Sequence, residues 1–143
     1  LRILVADDHE AVRKGVCTIL SSRADVEICG EAENGKAAIE KALELRPELI
    51  ILDITMPVLS GFEAAREIRK ALPDVAILIL SMHESNQLIE EAKKLGVQGY
   101  VTKTQVGATL LQAVDTLLRK ETFFPQRFGN GDPAPRMGQP GTA

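Results

Sequence analysis

Five short runs rich in Ile, Leu and Val punctuate the chain: Ile3 to Ala6, Val26 to Cys29, Leu49 to Leu52, Val75 to Leu80, and Gly99 to Val101. Their length and branched side chains predict strands. Between them, apolar residues recur every three or four positions, as in Val12, Val16, Ile19, Leu20 and in Phe62, Ala65, Ile68, Leu72. That spacing predicts helices with one buried face. Further helices are expected from Gly35 to Leu45, from Ser85 to Leu95 and from Gln105 to Lys120. Strand and helix thus alternate five times. Such alternation implies a parallel sheet, because each crossover must carry the chain back before the next parallel strand begins. The first, third and fourth strands are almost wholly apolar, as strands covered on both faces should be. The expected fold is a flavodoxin-like (βα)5 three-layer α/β sandwich of strand order 2-1-3-4-5. Its ligand crevice opens at the carboxyl ends of strands 1 and 3.

At 143 residues and 45% apolar content, the chain can fill one core. A net charge of −3 offers no broad footprint for a phosphate backbone, so direct nucleic-acid binding by this chain is not expected. Cys17 and Cys29 lack the short spacings of metal knuckles or redox pairs and read as reduced packing residues. No apolar run is long enough to span a bilayer and no basic-then-apolar leader opens the chain, so the expectation is a cytoplasmic protein without a membrane partner. Because the numbering opens at Leu1 in place of a methionine, a few native residues are expected to be missing. After Lys120 the composition turns dense in Gly and Pro and poor in aliphatic residues. Residues 1–121 therefore read as the domain and 122–143 as a linker or disordered tail.

The first strand ends in Asp7 and Asp8 and the third in Asp53, so the expected order gathers three carboxylates on strands roughly 4.8 Å apart. Like charges that close raise one another's pKa unless a cation neutralises them, and an all-oxygen acidic site suits Mg2+ better than zinc. The fourth strand ends with Ser81 and the fifth leads into Lys103, which adds a hydroxyl and an ammonium to the same rim. Together these residues fit phosphoryl transfer to a carboxylate. Asp53 is the nucleophile, Mg2+ offsets charge, and Lys103 and Ser81 hold the remaining oxygens. Blander readings exist for each residue alone: Asp7 with Glu10 fits a helix capping box, and Asp53 or Lys103 alone could be solvated surface groups. None of these explains the joint pattern.

The segments ILVADDHE, LDITMP followed by Gly61, the strand ending in Ser81, and GYVTK closing on Lys103 resemble response-regulator receiver domains. The resemblance covers about Leu1 to Lys120. It implies that Asp53 is the phosphorylation site and Asp8 a direct metal ligand, with Asp7 in support and the backbone carbonyl of Thr55 completing the protein ligands of Mg2+, for which Mn2+ can substitute. Ser81 and Lys103 match the family's hydroxyl and lysine, and Tyr100 its switch aromatic. His83 falls where the family tunes dephosphorylation. The implied donor is a sensor histidine kinase. The implied output is transcriptional regulation through a domain or partner reached by the surface of helix 4, strand 5 and helix 5, which together, or helix 5 alone, could also form a homodimer. A phosphoacceptor of this kind catalyses its own phosphorylation and dephosphorylation without being a turnover enzyme. Many family members carry a cis-proline after the lysine, where Thr104 stands here. LSMHE and the Lys-Thr pair look like the NarL/FixJ branch, whose members usually carry a C-terminal helix-turn-helix. The Gly/Pro tail leaves no room for one, so a shortened chain and a stand-alone receiver both remain open.

Phosphorylated Asp53 is expected to draw the Ser81 hydroxyl inward and let Tyr100 turn from an exposed to a buried position. On helix 5, Leu110, Leu111, Val114, Leu117 and Leu118 form a stripe that fits either a partner or a wide core face. His9 could simply begin helix 1, and neither histidine has a partner at metal-ligand spacing. Haloacid-dehalogenase-like phosphatases need a second acid two residues after the nucleophile, and Thr55 stands there. A nucleotide-binding domain needs a first loop rich in Gly, Ser or Thr, whereas Asp7, Asp8, His9 and Glu10 would repel an anion. A pseudo-receiver scaffold is a third alternative, which a complete site argues against.

Overall fold

A computed structural model describes residues 1–125. Five strands, β1 (Arg2–Ala6), β2 (Glu27–Ala32), β3 (Leu49–Asp53), β4 (Ala76–Ser81) and β5 (Gly99–Thr102), alternate with five helices, α1 (Glu10–Ser21), α2 (Gly35–Leu45), α3 (Gly61–Ala71), α4 (Asn86–Lys94) and α5 (Val106–Leu118). All strand pairs are parallel and the order is β2-β1-β3-β4-β5, as the alternation required.

The two-residue period of a strand divides the core into two halves. Leu4, Ala6, Ile50, Leu52, Ile77, Ile79 and Tyr100 point to one side, where they meet Ala38 and Ala42 of α2, Ala64, Ala65 and Ile68 of α3, and Ile89 and Ala92 of α4. Ile3, Val5, Leu49, Ile51, Leu78, Leu80 and Val101 point to the other, against Val16 and Leu20 of α1 and Leu110, Val114 and Leu117 of α5. Every residue of β3 is buried, so the strand that delivers Asp53 has no freedom to slip register. The α5 stripe divides as a core face would: Leu110 and Leu117 are buried, Leu111 is half-buried, and Leu118 faces solvent.

Three helices start on polar caps. Asn34 accepts from the Ala37 amide at 2.8 Å, Ser60 and Glu63 form a reciprocal capping box, and Ser85 accepts from Leu88. Helix α1 does not. Its N-cap is His9, without a side-chain cap bond, so the capping-box reading of Asp7 and Glu10 is not realised. On α4, Glu90 pairs with Lys93 three residues on, at 3.9 Å.

Strand β2 runs three residues past its expected end at Cys29, through Gly30, Glu31 and Ala32, with an irregularity opposite Ile3 and Leu4. Its polar residues are tolerated because β2 is an edge strand. Lys103–Gln105 form a 3-10 turn, and no peptide bond among the described residues is cis. Past α5, Phe123 joins the free edge of β5: its amide donates to Gln98 O and its carbonyl accepts from Tyr100, both at 2.9 Å. Phe124 packs on the core beneath Lys93, whose Nζ lies 5.1 Å from the ring centroid. The linker expected from Thr122 thus begins against the sheet, and its remainder from 126 lies outside the described residues.

Gly61 holds α3 against β3. A Cβ there would stand 2.1 Å from Asp53 O, so only backbone movement could admit it. By contrast, a Cβ on Gly15, inside α1, meets nothing within 4 Å. In urea unfolding, Gly61→Ala is expected to lose about 2 kcal/mol or more, and Gly15→Ala to gain about 0.5–1 kcal/mol. Equal effects at the two positions would contradict this packing.

Candidate phosphoryl-transfer site

Register delivers the site. Ala6 pairs with Leu52, so Asp7 and Asp53 leave adjacent strands at the same level; Asp53 faces Leu80, and Ser81 faces Thr102. Parallel strands ending together place the side chains that follow them on one edge. Of the residues expected there, Asp7, Asp53 and Ser81 are buried, Asp8 and Thr55 are exposed, and Tyr100 lies fully inside the core.

Lys103 reaches the edge from the turn after β5. Its side chain is 6% exposed, and Nζ sits 3.0 Å from Asp7 Oδ2 and 3.1 Å from Asp53 Oδ2. The two ion pairs are close, but no hydrogen bond is directed to either oxygen. The other oxygens are tied to the local backbone. Asp7 Oδ1 accepts from the His9 amide at 2.8 Å and Asp53 Oδ1 from the Thr55 amide at 3.2 Å. Burial and then the neighbouring charge of Asp7 push the Asp53 carboxyl up to about 6, against the opposing pull of Lys103 and the Thr55 amide. For Lys103, burial favours the neutral amine, but Asp7 and Asp53 outweigh it and hold the ammonium above its ordinary range.

Two buried carboxylates share one ammonium, and Asp8 adds a third negative charge at the mouth. One ligand atom from each of Asp7, Asp8, His9 and Asp53 lies within 4.8 Å of the others. Oxygen donors dominate this set and two of the buried ones lack directed donors, so the residues fit a hard divalent cation such as Mg2+. His9 is the member the sequence pattern did not assign. Its Nδ1 lies 3.3 Å from Asp8 Oδ1 and 3.4 Å from Asp7 Oδ1, on a side chain 61% exposed.

Around this centre, the loop after β4 folds onto its own strand. The carbonyl of His83 accepts from Ser81 Oγ at 3.0 Å and from Tyr100 Oη at 2.7 Å, and the His83 amide donates to Ser81 Oγ at 3.2 Å. Tyr100 therefore occupies the buried end of its expected swing. Across the mouth, Val58 takes φ +71° in the β3–α3 loop, a strained value for a β-branched residue, in a tight turn where the Leu59 amide donates to Pro57 O at 2.7 Å.

Comparison with known proteins agrees with this fold. Residues 3–115 match the family model of the response regulator receiver domain. Over 124 residues the chain is 38% identical to the response regulator protein VraR of Staphylococcus aureus, and 35% identical to VraR of Staphylococcus saprophyticus. Each alignment covers 87% of this chain and 59% of the relative, so the chain spans about three fifths of the proteins it matches. A crystal structure of a LuxR-family two-component response regulator from Aurantimonas sp. superposes with a TM-score of 0.82 at 33% identity, over 85% of this chain and 87% of that one. With that family model spanning residues 3–115, this chain belongs to the response regulator receiver domain family.

Proposed function

We propose that Asp53 accepts a phosphoryl group from a phosphohistidine of a sensor histidine kinase, and that the domain thereby acts as a Mg2+-dependent switch. The observation that carries the reading is the Lys103 ammonium seated between Asp7 and Asp53. A carboxylate oxygen of Asp53 attacks phosphorus, and a P–O bond forms as the P–N bond to the donor imidazole breaks. Lys103 stays at the carboxylates and meets one phosphoryl oxygen, while the Ser81 hydroxyl turns from the His83 carbonyl to another. Asp8, Asp53 and the Thr55 carbonyl, with Asp7 in support, would hold Mg2+ or Mn2+, which would supply positive charge to offset repulsion between nucleophile and phosphoryl group. The acyl phosphate hydrolyses in the same site, so the domain catalyses its own dephosphorylation, at a rate set in part by the exposed His83.

The switch runs from Ser81 through the His83 carbonyl to Tyr100. Moving the Ser81 hydroxyl leaves that carbonyl with the tyrosine as its side-chain donor, which favours the buried ring. Phosphorylation shifts this equilibrium by the difference in interaction between the two states. Because the Tyr100 amide also binds the Phe123 carbonyl, the change reaches the segment that leaves the domain. Output is transcriptional regulation, through a DNA-binding domain or a partner protein. Phe123 occupies the free edge of β5, which favours α5, with Leu118 exposed on it, as the surface for a homodimer. Among the described residues no helix is long and apolar enough to cross a membrane, in keeping with a cytoplasmic protein.

With acetyl phosphate and Mg2+, intact-mass measurement is expected to show one added phosphoryl group on wild type and none on Asp53→Asn or with EDTA present. Incorporation into Asp53→Asn would place the acceptor elsewhere. Lys103→Met is expected to slow phosphorylation on the order of 10²-fold. Ser81→Ala should still take the phosphoryl group but fail to dimerise on doing so; full dimerisation of that variant in light scattering would sever the proposed link.

A further inference from the structure

We propose that Arg13 of α1 is a positioning residue for the cation site, acting on the Asp7–Asp8 peptide through the Asp7 carbonyl. This inference rests on the phosphoacceptor reading above. Arg13 is 8% exposed, in a helix whose other charged residues face solvent. A buried guanidinium is costly unless its donors are engaged, and here two of them are: Nη1–H donates to Asp7 O at 2.7 Å and Nε–H to Glu31 Oε1 at 2.8 Å.

The consequence is geometric. Asp7 is fully buried, so its carbonyl has no water to turn toward, and the Arg13 donor fixes the plane of the peptide that leads into Asp8. Its amide is held from the other side by Ala32 O at 3.0 Å, and its carboxylate by the His9 amide. Glu31, one residue before Ala32 on β2, orients the guanidinium, so the clamp ties the acid pair to the neighbouring strand. The β1–α1 turn is thereby held with Asp7 toward Lys103 and Asp8 at the mouth. Arg13 acts through another residue and need not touch the phosphoryl group.

Partners that orient metal ligands in this way typically contribute 10–100-fold to metal affinity. The test is a Mg2+ titration of the melting temperature, without phosphodonor, on wild type, Arg13→Met, Arg13→Lys and a control, Lys14→Ala, which loses an exposed helix cation paired with Glu10. A purely structural loss lowers the melting temperature at every Mg2+ concentration and leaves in place the concentration at which it begins to rise, whereas a positioning role moves that onset. Arg13→Met is expected to need roughly 10–100-fold more Mg2+. Arg13→Lys, which can engage one acceptor but not both, should fall between, and Lys14→Ala should track wild type. A folded Arg13→Met whose onset lies within about twofold of wild type overturns the proposal; if that variant does not fold, the same result for Arg13→Lys overturns it. If wild type itself does not respond to Mg2+, the phosphoacceptor reading fails and this inference with it. A responding wild type beside an equally responding Arg13 variant sinks the inference alone.

Discussion

One ammonium shared by two buried carboxylates is the interaction on which the rest of this molecule depends. Asp7 and Asp53 are 0% and 2% exposed, and among the described residues Lys103 is the cation in ion-pair contact with both. The pairing leaves a negative residue, and Asp8 adds to it. A core that buries such a group loses stability unless something positive arrives. The same cost is what a divalent cation would relieve if it settled on these oxygens, in line with the proposed function. An apolar replacement of the cluster would make a quieter domain without chemistry.

The fold exists around that edge. Parallel strands that end at one level set Asp7 beside Asp53 and Ser81 beside Thr102, and the helices that cover both faces make register slip expensive. Gly61 lets α3 approach the Asp53 carbonyl closely enough to fix the strand end. Arg13, reaching from α1, and the His83 carbonyl, receiving both Ser81 and Tyr100, complete the framework. Ser81, the His83 carbonyl and Tyr100 thus form one hydrogen-bonded unit that leads out to Phe123.

Much of this was legible in the residues themselves. Apolar runs of strand length and helices of period near 3.6 led to the sheet order, and the order brought Asp7, Asp8, Asp53, Ser81 and Lys103 together. What escaped was governed by contacts between distant segments. An arginine on an amphipathic helix reads as solvated, and nothing local marks Arg13 as facing the Asp7 carbonyl. Strand β2 continues through Gly30 and Glu31 because pairing with β1 outweighs their low strand propensity. Phe123 and Phe124 read as the start of a linker, yet one pairs with an open strand edge and the other fills space under Lys93. His9, in the right place but on an exposed side chain, joined the acids only once the turn was folded.

The most direct test of the central claim is the unfolding free energy of wild type and Asp53→Asn, measured in chelator from pH 4 to pH 8. The Asp53 carboxyl is raised in the folded protein to about 6 from an ordinary value of 3.8. The native state therefore holds its proton more tightly than the unfolded chain, and the stability of wild type falls as pH rises between those values. The account predicts that Asp53→Asn gains on wild type through that window, to an advantage of roughly 2–3 kcal/mol above pH 6, which Mg2+ reduces by stabilising wild type alone. An Asp53→Asn protein less stable than wild type at pH 7 in chelator, with a gap that does not move with pH, would contradict it.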